Sequence, residues 1–294
     1  MICRLCPRNC SVSREGGGVG VCRSGTAPRV ARAALHMWEE PPISGTRGSG
    51  AVFFTGCALG CRYCQNAEIS TSANSGRMVN PYELSRIFFD LVDQGAHNIN
   101  LVTPTHFIPW IRQALLIKKL PVPVIYNSSG YERPESLRAL EGLVDVYLPD
   151  YKYSDGQLAR DLSAAEDYPQ IAIAAIREMI RQTGTAVYGD DGIILRGVII
   201  RHLILPGHTK NSIEVLTKIA AEFPGVPVSL MAQYTPWGQA MAPGGIKGYP
   251  ELSRPITGRE LRKVEAALFD LNLTGFAQDR KAAGADFIPD FTLH

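Results

Sequence analysis

Three cysteines stand close together in the segment AVFFTGCALGCRYCQN, at positions Cys57, Cys61 and Cys64. Three thiolates at this spacing can bind three irons of a [4Fe-4S] cube and leave the fourth iron free for a small molecule. A structural zinc site requires four ligands, and neither cysteine nor histidine follows Cys64 before His97. The spacing therefore predicts an iron–sulfur cluster with one open coordination position, where chemistry can occur.

The other four cysteines, Cys3, Cys6, Cys10 and Cys22, form a C-x2-C-x3-C-x11-C set near the beginning of the chain. Four thiolates complete a tetrahedral site, and the glycines between Cys10 and Cys22 supply the turn that zinc knuckles use. The pattern favours structural zinc, with a second Fe–S cluster as the alternative. Because no secretion signal is visible, seven cysteines favour metal binding over disulfides and a reducing compartment, the cytoplasm.

Composition excludes several classes of protein. The chain has 294 residues, with 30 basic and 28 acidic side chains and a net charge of +2. This balance is not that of a dedicated nucleic-acid-binding domain, and no run of eighteen apolar residues predicts a membrane partner. The length suits one α/β barrel-type domain with a small appendage.

Apolar and β-branched runs that predict strands alternate with segments that predict helices. Strands are predicted at 52–54, 97–102, 122–126, 144–148, 197–205 and 226–232, and helices at 81–94, 107–119, 134–140, 154–182 in two pieces, 211–222 and 257–271. Asn80 with Glu83 and Thr257 with Glu260 are predicted to cap two of these helices. The alternation favours a parallel sheet. We expect residues 1–45 to be an irregular, metal-ordered segment ending in a linker at 39–42, and residues 46–294 to form the barrel with a C-terminal extension.

Polar residues follow five of the predicted strands. They lie at 103–106, 127–130, 150–153, 206–208 and 233–235. Ligands of α/β barrels gather at the carboxyl ends of the strands, so these positions are candidate binding residues.

The segment CALGCRYCQN resembles the signature of the radical S-adenosylmethionine (SAM) superfamily. The Asp150-x-Lys152 pair and the RHLILPG strand with Arg201 resemble the glycyl-radical-enzyme activases typified by pyruvate formate-lyase activating enzyme. The blocks CRLCPRNC, NLVTPTH, YLPDYKY and QYTP extend this similarity, over nearly the whole chain, to an uncharacterised branch of that group. The resemblance implies an α/β fold: a partial (β/α)6 TIM-like barrel of radical SAM type, with a small N-terminal metal-bound segment.

The same resemblance implies a radical SAM oxidoreductase-type activity. The cluster would pass one electron to SAM, and the resulting 5'-deoxyadenosyl radical would abstract hydrogen, with a protein or peptide as the expected substrate and flavodoxin or ferredoxin as the expected electron donor. Tyr63 would lie near the adenine. Asp150, Lys152 and Arg201 would hold SAM, with Lys152 or Arg201 meeting its carboxylate. Asn127 is a further candidate for the SAM site.

One departure from the activases concerns the end of the second predicted strand. The activases place Gly-Gly-Glu there to receive the ammonium group of SAM, whereas this chain has Thr103, Pro104, Thr105 and His106. The oxygens of Thr103 and Thr105 can accept those hydrogen bonds without a formal charge. His106 could serve the substrate or cap the next helix. The alternative functions are radical SAM modification of a small molecule or RNA, and non-catalytic Fe–S electron transfer or sensing.

Overall fold

The computed structural model describes residues 2–72, 75–277 and 291. The strands are β1 (Arg29–His36), β2 (Ser49–Phe54), β3 (Arg77–Met78), β4 (Ile99–Val102), β5 (Val124–Ser128), β6 (Val146–Pro149), β7 (Val187–Tyr188), β8 (Ile194–Val198), β9 (Ile200–Leu203), β10 (Val228–Met231) and β11 (Gly275–Ala277). The helices are α1 (Pro41–Ser44), α2 (Ala67–Ser70), α3 (Pro81–Asp93), α4 (Ile108–Ile117), α5 (Pro134–Arg138), α6 (Gly156–Ser163), α7 (Tyr168–Thr183), α8 (Thr209–Glu222) and α9 (Gly258–Asp270), with 3-10 turns at Thr105–Phe107, Gly238–Met241 and Pro250–Ser253.

A curved, mostly parallel sheet forms the frame of the molecule. In the described part of the chain the strand order is β3-β1-β2-β4-β5-β6-β8-β7, and a second sheet has the order β11-β10-β9. Only Ile199 separates β8 from β9, and a parallel bridge between Asp150 and Arg201 joins the two sheets. The parallel strands from β2 to β10 confirm the predicted α/β partial barrel, and each predicted strand overlaps an observed one.

Five of the parallel strands are buried on both faces. Every residue of β2, β4, β5, β6 and β10 is buried. Strands that are covered on both sides appear in the sequence as continuous apolar runs instead of alternating ones, and this is why they were predicted. The helices cover the outside, as α3 does by burying Leu84, Phe88 and Leu91.

Helix ends follow the local signals where the caps are strong. Asn80 and Glu83 form a complete capping box before α3, and Thr257 and Glu260 form another before α9, as predicted. By contrast α8 begins at Thr209. The predicted start at Asn211 is wrong because the Asn211 side chain accepts a hydrogen bond from the backbone of Ser154 in a neighbouring loop.

The prediction of irregular structure for residues 1–45 is wrong for β1 and α1. The strand β1 pairs antiparallel with β2, from Val30 opposite Phe54 to His36 opposite Ser49. Its burial pattern is mixed and it carries two arginines, so its sequence lacks the apolar run that reveals the central strands. The predicted C-terminal extension lies, beyond Ala277, outside the described residues apart from Phe291. None of the helices in the described ranges has the length and hydropathy that crossing a bilayer requires.

Candidate active site

A cavity of about 860 Å³ opens at the carboxyl ends of the parallel strands. Its wall includes nine of the residues predicted from the sequence, namely Cys57, Cys61, Cys64, Tyr63, Thr103, Asn127, Asp150, Lys152 and Arg201. These residues come from the loop after β2, from the carboxyl ends of β4, β5 and β6, and from within β9. The parallel topology brings them together because every carboxyl end lies at the same edge of the sheet.

The cysteine loop begins at a glycine that no other residue can replace without strain. Gly56 has φ +79°, and a Cβ on it would lie 2.3 Å from the carbonyl oxygen of Cys22. The chain turns there from β2 into the loop that carries Cys57, Cys61 and Cys64. The N-terminal segment is thus in direct contact with the start of this loop.

Each cysteine of the loop accepts hydrogen bonds at sulfur. The Cys57 sulfur lies 3.4 Å from the backbone nitrogen of Leu59 and 3.5 Å from that of Gly60. The hydroxyl of Ser163 donates to Cys61 at 3.1 Å, and that of Ser70 donates to Cys64 at 3.6 Å. Donors aimed at sulfur favour the thiolate, the form that binds iron.

Burial opposes the thiolates in the absence of a cation. It raises the pKa of Cys57 to about 12, and the neighbouring Cys61 and Cys64 charges add to this rise. A bound metal reverses the preference, because coordination deprotonates a thiol outright. Within the described ranges no three His, Cys, Asp or Glu side chains form a group suited to a single metal ion. A cube makes a different demand, since each thiolate binds its own iron, and the donor set fits this cofactor.

Tyr63 is buried beside the cysteines and connects to them through hydroxyl groups. Its hydroxyl lies 2.7 Å from that of Tyr153, which lies 2.8 Å from the hydroxyl of Ser163. Ser163 in turn donates to Cys61. The chain Tyr63–Tyr153–Ser163–Cys61 therefore links an aromatic residue of the cavity wall to a candidate iron ligand.

Asp150, Lys152 and Arg201 form one charged group. The ammonium of Lys152 lies 2.5 Å from one oxygen of Asp150, and the Nε of Arg201 lies 2.9 Å from the other. Burial acts to raise the pKa of Asp150, but these two cations hold it below its ordinary value. For Lys152 burial acts to lower the pKa, and the charges of Asp150 and Cys61 raise it above the ordinary value. All three groups are thus ionised.

Glu39 completes this group and was missed from the sequence. It accepts from Arg201 at 3.4 Å and from Asn100 at 3.1 Å, and its side chain is only 11% exposed. Glu39 follows β1, a strand that was not predicted, and its position was therefore expected to be a linker. Arg201 also donates to Asn127 at 2.6 Å, so its guanidinium has three protein acceptors.

The threonines after β4 have different locations. Thr103 lines the cavity with φ +60°, an uncommon and strained value for a β-branched residue. Thr105 is not among the residues that line it, and its hydroxyl donates to buried Glu132 at 2.9 Å, so its assignment to the SAM site stays a prediction. His106 is also buried away from the cavity, with Nε2 2.7 Å from the carbonyl of Thr55, and burial lowers its pKa to about 4.

Comparison with known proteins adds two findings, although no protein-family model matches the sequence. The chain is 30% identical over 271 residues to "Uncharacterized protein MJ0674" of Methanocaldococcus jannaschii, covering 89% of this chain and 72% of that protein. The chain belongs to the same family as this protein. The two chains therefore share a fold.

The fold is similar to that of a solved radical SAM methyltransferase from Sphaerobacter thermophilus. The TM-score is 0.53 at 16% sequence identity, over 78% of this chain and 66% of that one. At this identity the similarity shows the fold alone. It agrees with the partial barrel that the sequence predicted, while the activity has to be argued from the site.

Proposed function

We propose that the chain is a radical SAM iron–sulfur enzyme. The observation that carries this proposal is the shared cavity: three cysteines with hydrogen-bonded sulfurs face the same space as the Asp150, Lys152 and Arg201 group. An electron carrier needs no such space beside its cluster. A volume of about 860 Å³ lies within the range of small-molecule sites and is sufficient for SAM with part of a substrate.

Cys57, Cys61 and Cys64 would hold a [4Fe-4S] cluster. When bound, such a cluster supplies one electron to SAM, which divides into methionine and a 5'-deoxyadenosyl radical able to abstract hydrogen. The donors from Leu59, Gly60, Ser163 and Ser70 orient the three sulfurs and stabilise their negative charge.

Lys152 is the cation best placed for the carboxylate of SAM. The charge of Cys61 acts to raise the pKa of Lys152, and Lys152 acts to lower the pKa of Cys64, so the ammonium lies near both cysteines. Asp150 is its hydrogen-bond partner. Arg201 has three protein acceptors already, so we assign it to positioning Asp150. Thr103 would offer oxygens to the ammonium group in place of the Gly-Gly-Glu of the activases. Tyr63 would contact the adenine.

The substrate class is a protein or peptide. Trp38 is 60% exposed and stands with Met37 on the cavity wall, which gives the opening an apolar side suited to a peptide. The similarity of motifs to the activases supports the same class. A flavodoxin or ferredoxin would supply the electron, and the cytoplasmic location stays a prediction.

SAM cleavage by the full chain tests the enzyme assignment. Protein reconstituted anaerobically with iron and sulfide should bind SAM and release 5'-deoxyadenosine when dithionite is added. Cys61→Ala should abolish the product, because a cluster ligand is lost. Wild-type protein that binds iron but neither binds nor cleaves SAM would support an electron carrier instead.

Isotope transfer tests the substrate class. The reaction is run with an extract of cells grown in D2O, separated into protein, RNA and low-molecular-weight fractions. Deuterium in 5'-deoxyadenosine should come from the protein fraction and disappear after protease treatment. Deuterium from either of the other fractions would replace the protein substrate with RNA or a small molecule.

A further inference from the structure

The four N-terminal cysteines lie together in the structure. Cys3, Cys6 and Cys22 are buried, and Cys10 is half-buried. A Cβ on Gly20 would lie 3.0 Å from the sulfur of Cys10 and 3.5 Å from that of Cys22. Cys6 lies close enough to Cys22, Cys3 and Cys10 for the charges of all three to act on it. Four cysteines that are spread over twenty residues of sequence thus lie at one site.

This segment has thiols where a small domain would have a hydrophobic core. Two of its buried cysteines, Cys6 and Cys22, pack in one cluster with Ala58. Ala58 belongs to the loop that carries Cys57, Cys61 and Cys64. Such a composition is typical of segments that a metal centre orders.

A buried arginine points at the site. Arg14 is 5% exposed and donates from Nη2 to the sulfur of Cys22 at 3.3 Å, and its Nε has no partner among the described residues. Its Nη1 donates to the carbonyl of His106 at 2.7 Å. Since a buried cation is costly without an anion, the arrangement calls for deprotonated thiolates around Cys22. Four metal-bound thiolates supply that negative charge.

The segment is packed directly on the loop of the first cluster. Ala58, which follows Cys57 in the chain, packs in one cluster with Cys6 and Cys22. Arg8 strengthens this contact, with Nε donating to the carbonyl of Ala58 at 2.8 Å and Nη2 to that of Leu59 at 3.0 Å. The N-terminal segment and the loop that carries Cys57 are therefore in direct contact.

We propose that Cys3, Cys6, Cys10 and Cys22 hold a second, closed Fe–S cluster that relays single electrons to the first site through the layer formed by Ala58. The electron comes from a flavodoxin- or ferredoxin-type donor, which is oxidised by one electron. The second cluster is reduced and then reoxidised as the first is reduced, and no covalent bond changes in the transfer. Zinc cannot take this role, because Zn²⁺ has no accessible redox chemistry. The four thiols, all within the described residues, do not form a group suited to a single metal ion, and this finding together with the position beside Cys57 favours a cluster over zinc.

The presence of the second cluster is tested by metal content, independently of SAM cleavage. Full chain reconstituted with iron, sulfide and equimolar zinc should contain about eight irons. The triple variant Cys57→Ala, Cys61→Ala, Cys64→Ala should retain about four. About one zinc in either protein, with the iron of the N-terminal site absent, would overturn the proposal.

Arg14→Gln gives a second measurement that leaves the four thiolates in place. Two reduction potentials should appear in an EPR-monitored titration, and SAM should perturb only one of them. Arg14→Gln should lower the potential that SAM does not perturb, because a cationic donor to Cys22 is lost. Arg112→Gln, an exposed arginine on α4, is the matched control and should change neither. A single potential, or two that Arg14→Gln leaves unchanged, would refute the second cluster.

The relay role rests on the proposed function and is tested by the source of electrons. In a Cys10→Ser variant, the rate of SAM cleavage driven by reduced flavodoxin should fall at least tenfold relative to the rate driven by dithionite. An unchanged ratio would overturn the relay while leaving SAM cleavage established. Failure of the wild-type protein with dithionite would instead count against the enzyme assignment.

Discussion

Removal of Lys152 should weaken SAM binding while leaving the fold and the iron in place. Its ammonium lies 2.5 Å from Asp150, its side chain is 15% exposed, and Asp150 retains Arg201 at 2.9 Å when Lys152 is replaced by Ala. The buried carboxylate therefore keeps a cation. Loss of one charge-assisted bond to the carboxylate of SAM should cost roughly 1.5 to 3 kcal/mol, or about ten- to a hundred-fold in affinity.

Arg201 should behave differently because of its three acceptors. Arg201→Ala leaves Asp150 with Lys152 as a cation and removes the ion-pair partner of buried Glu39. Breaking a buried ion pair by removing one partner costs about 3 to 5 kcal/mol. This variant should therefore lose thermal stability, and its SAM affinity should be interpreted only where it remains folded.

The assay is an anaerobic titration with SAM that follows the EPR signal of the reduced cluster, with iron content and thermal unfolding measured on the same samples. Lys210→Ala is the matched control, since that lysine is 89% exposed on α8 and pairs with Glu214 at 3.8 Å. It should change neither affinity nor stability. If Lys152→Ala bound SAM as tightly as the wild type, the carboxylate would have to be held elsewhere. Equal stability of Arg201→Ala and wild type would contradict the buried network.

Three further predictions follow from the contacts. Ser163→Ala removes the donor 3.1 Å from Cys61 and should lower the reduction potential of the SAM-binding cluster in a redox titration. In the control Ser154→Ala, the serine that is replaced has no hydrogen bond to a cysteine among the described residues, and this variant should leave the potential unchanged. Burial raises the pKa of Glu132 from 4.5 to about 7, so its ionisation destabilises the fold as the pH rises through this window. The free energy of unfolding of the wild type should fall by about 2.5 kcal/mol between about pH 5 and pH 8, and Glu132→Gln should remove this loss. Denaturant titrations across this pH range measure both proteins. Asn80→Ala should cost about 1 kcal/mol of the same free energy without changing iron content, and a null result would mean that the capping box adds nothing.

Local features of the fold could be predicted because neighbours in the sequence decide them. Asn80 caps α3 through a residue three positions later, and β4 is recognisable because three of its four residues are apolar. The strand β1 was missed because its burial depends on the neighbouring strand β2 and not on its own pattern. The start of α8 was misplaced because Asn211 bonds to a distant loop.

The sequence by itself determined which chemistry is available: the spacing of Cys57, Cys61 and Cys64 follows from adjacent residues, and their type defines a ligand set. Only the tertiary structure decided how that set is surrounded. Glu39 meets Arg201 across 162 residues, Ser163 meets Cys61 across 102, and Arg8 meets Ala58 across 50. Such contacts exist only after the barrel closes, because long-range positions are set by strand register and packing and leave no periodic signal in the chain.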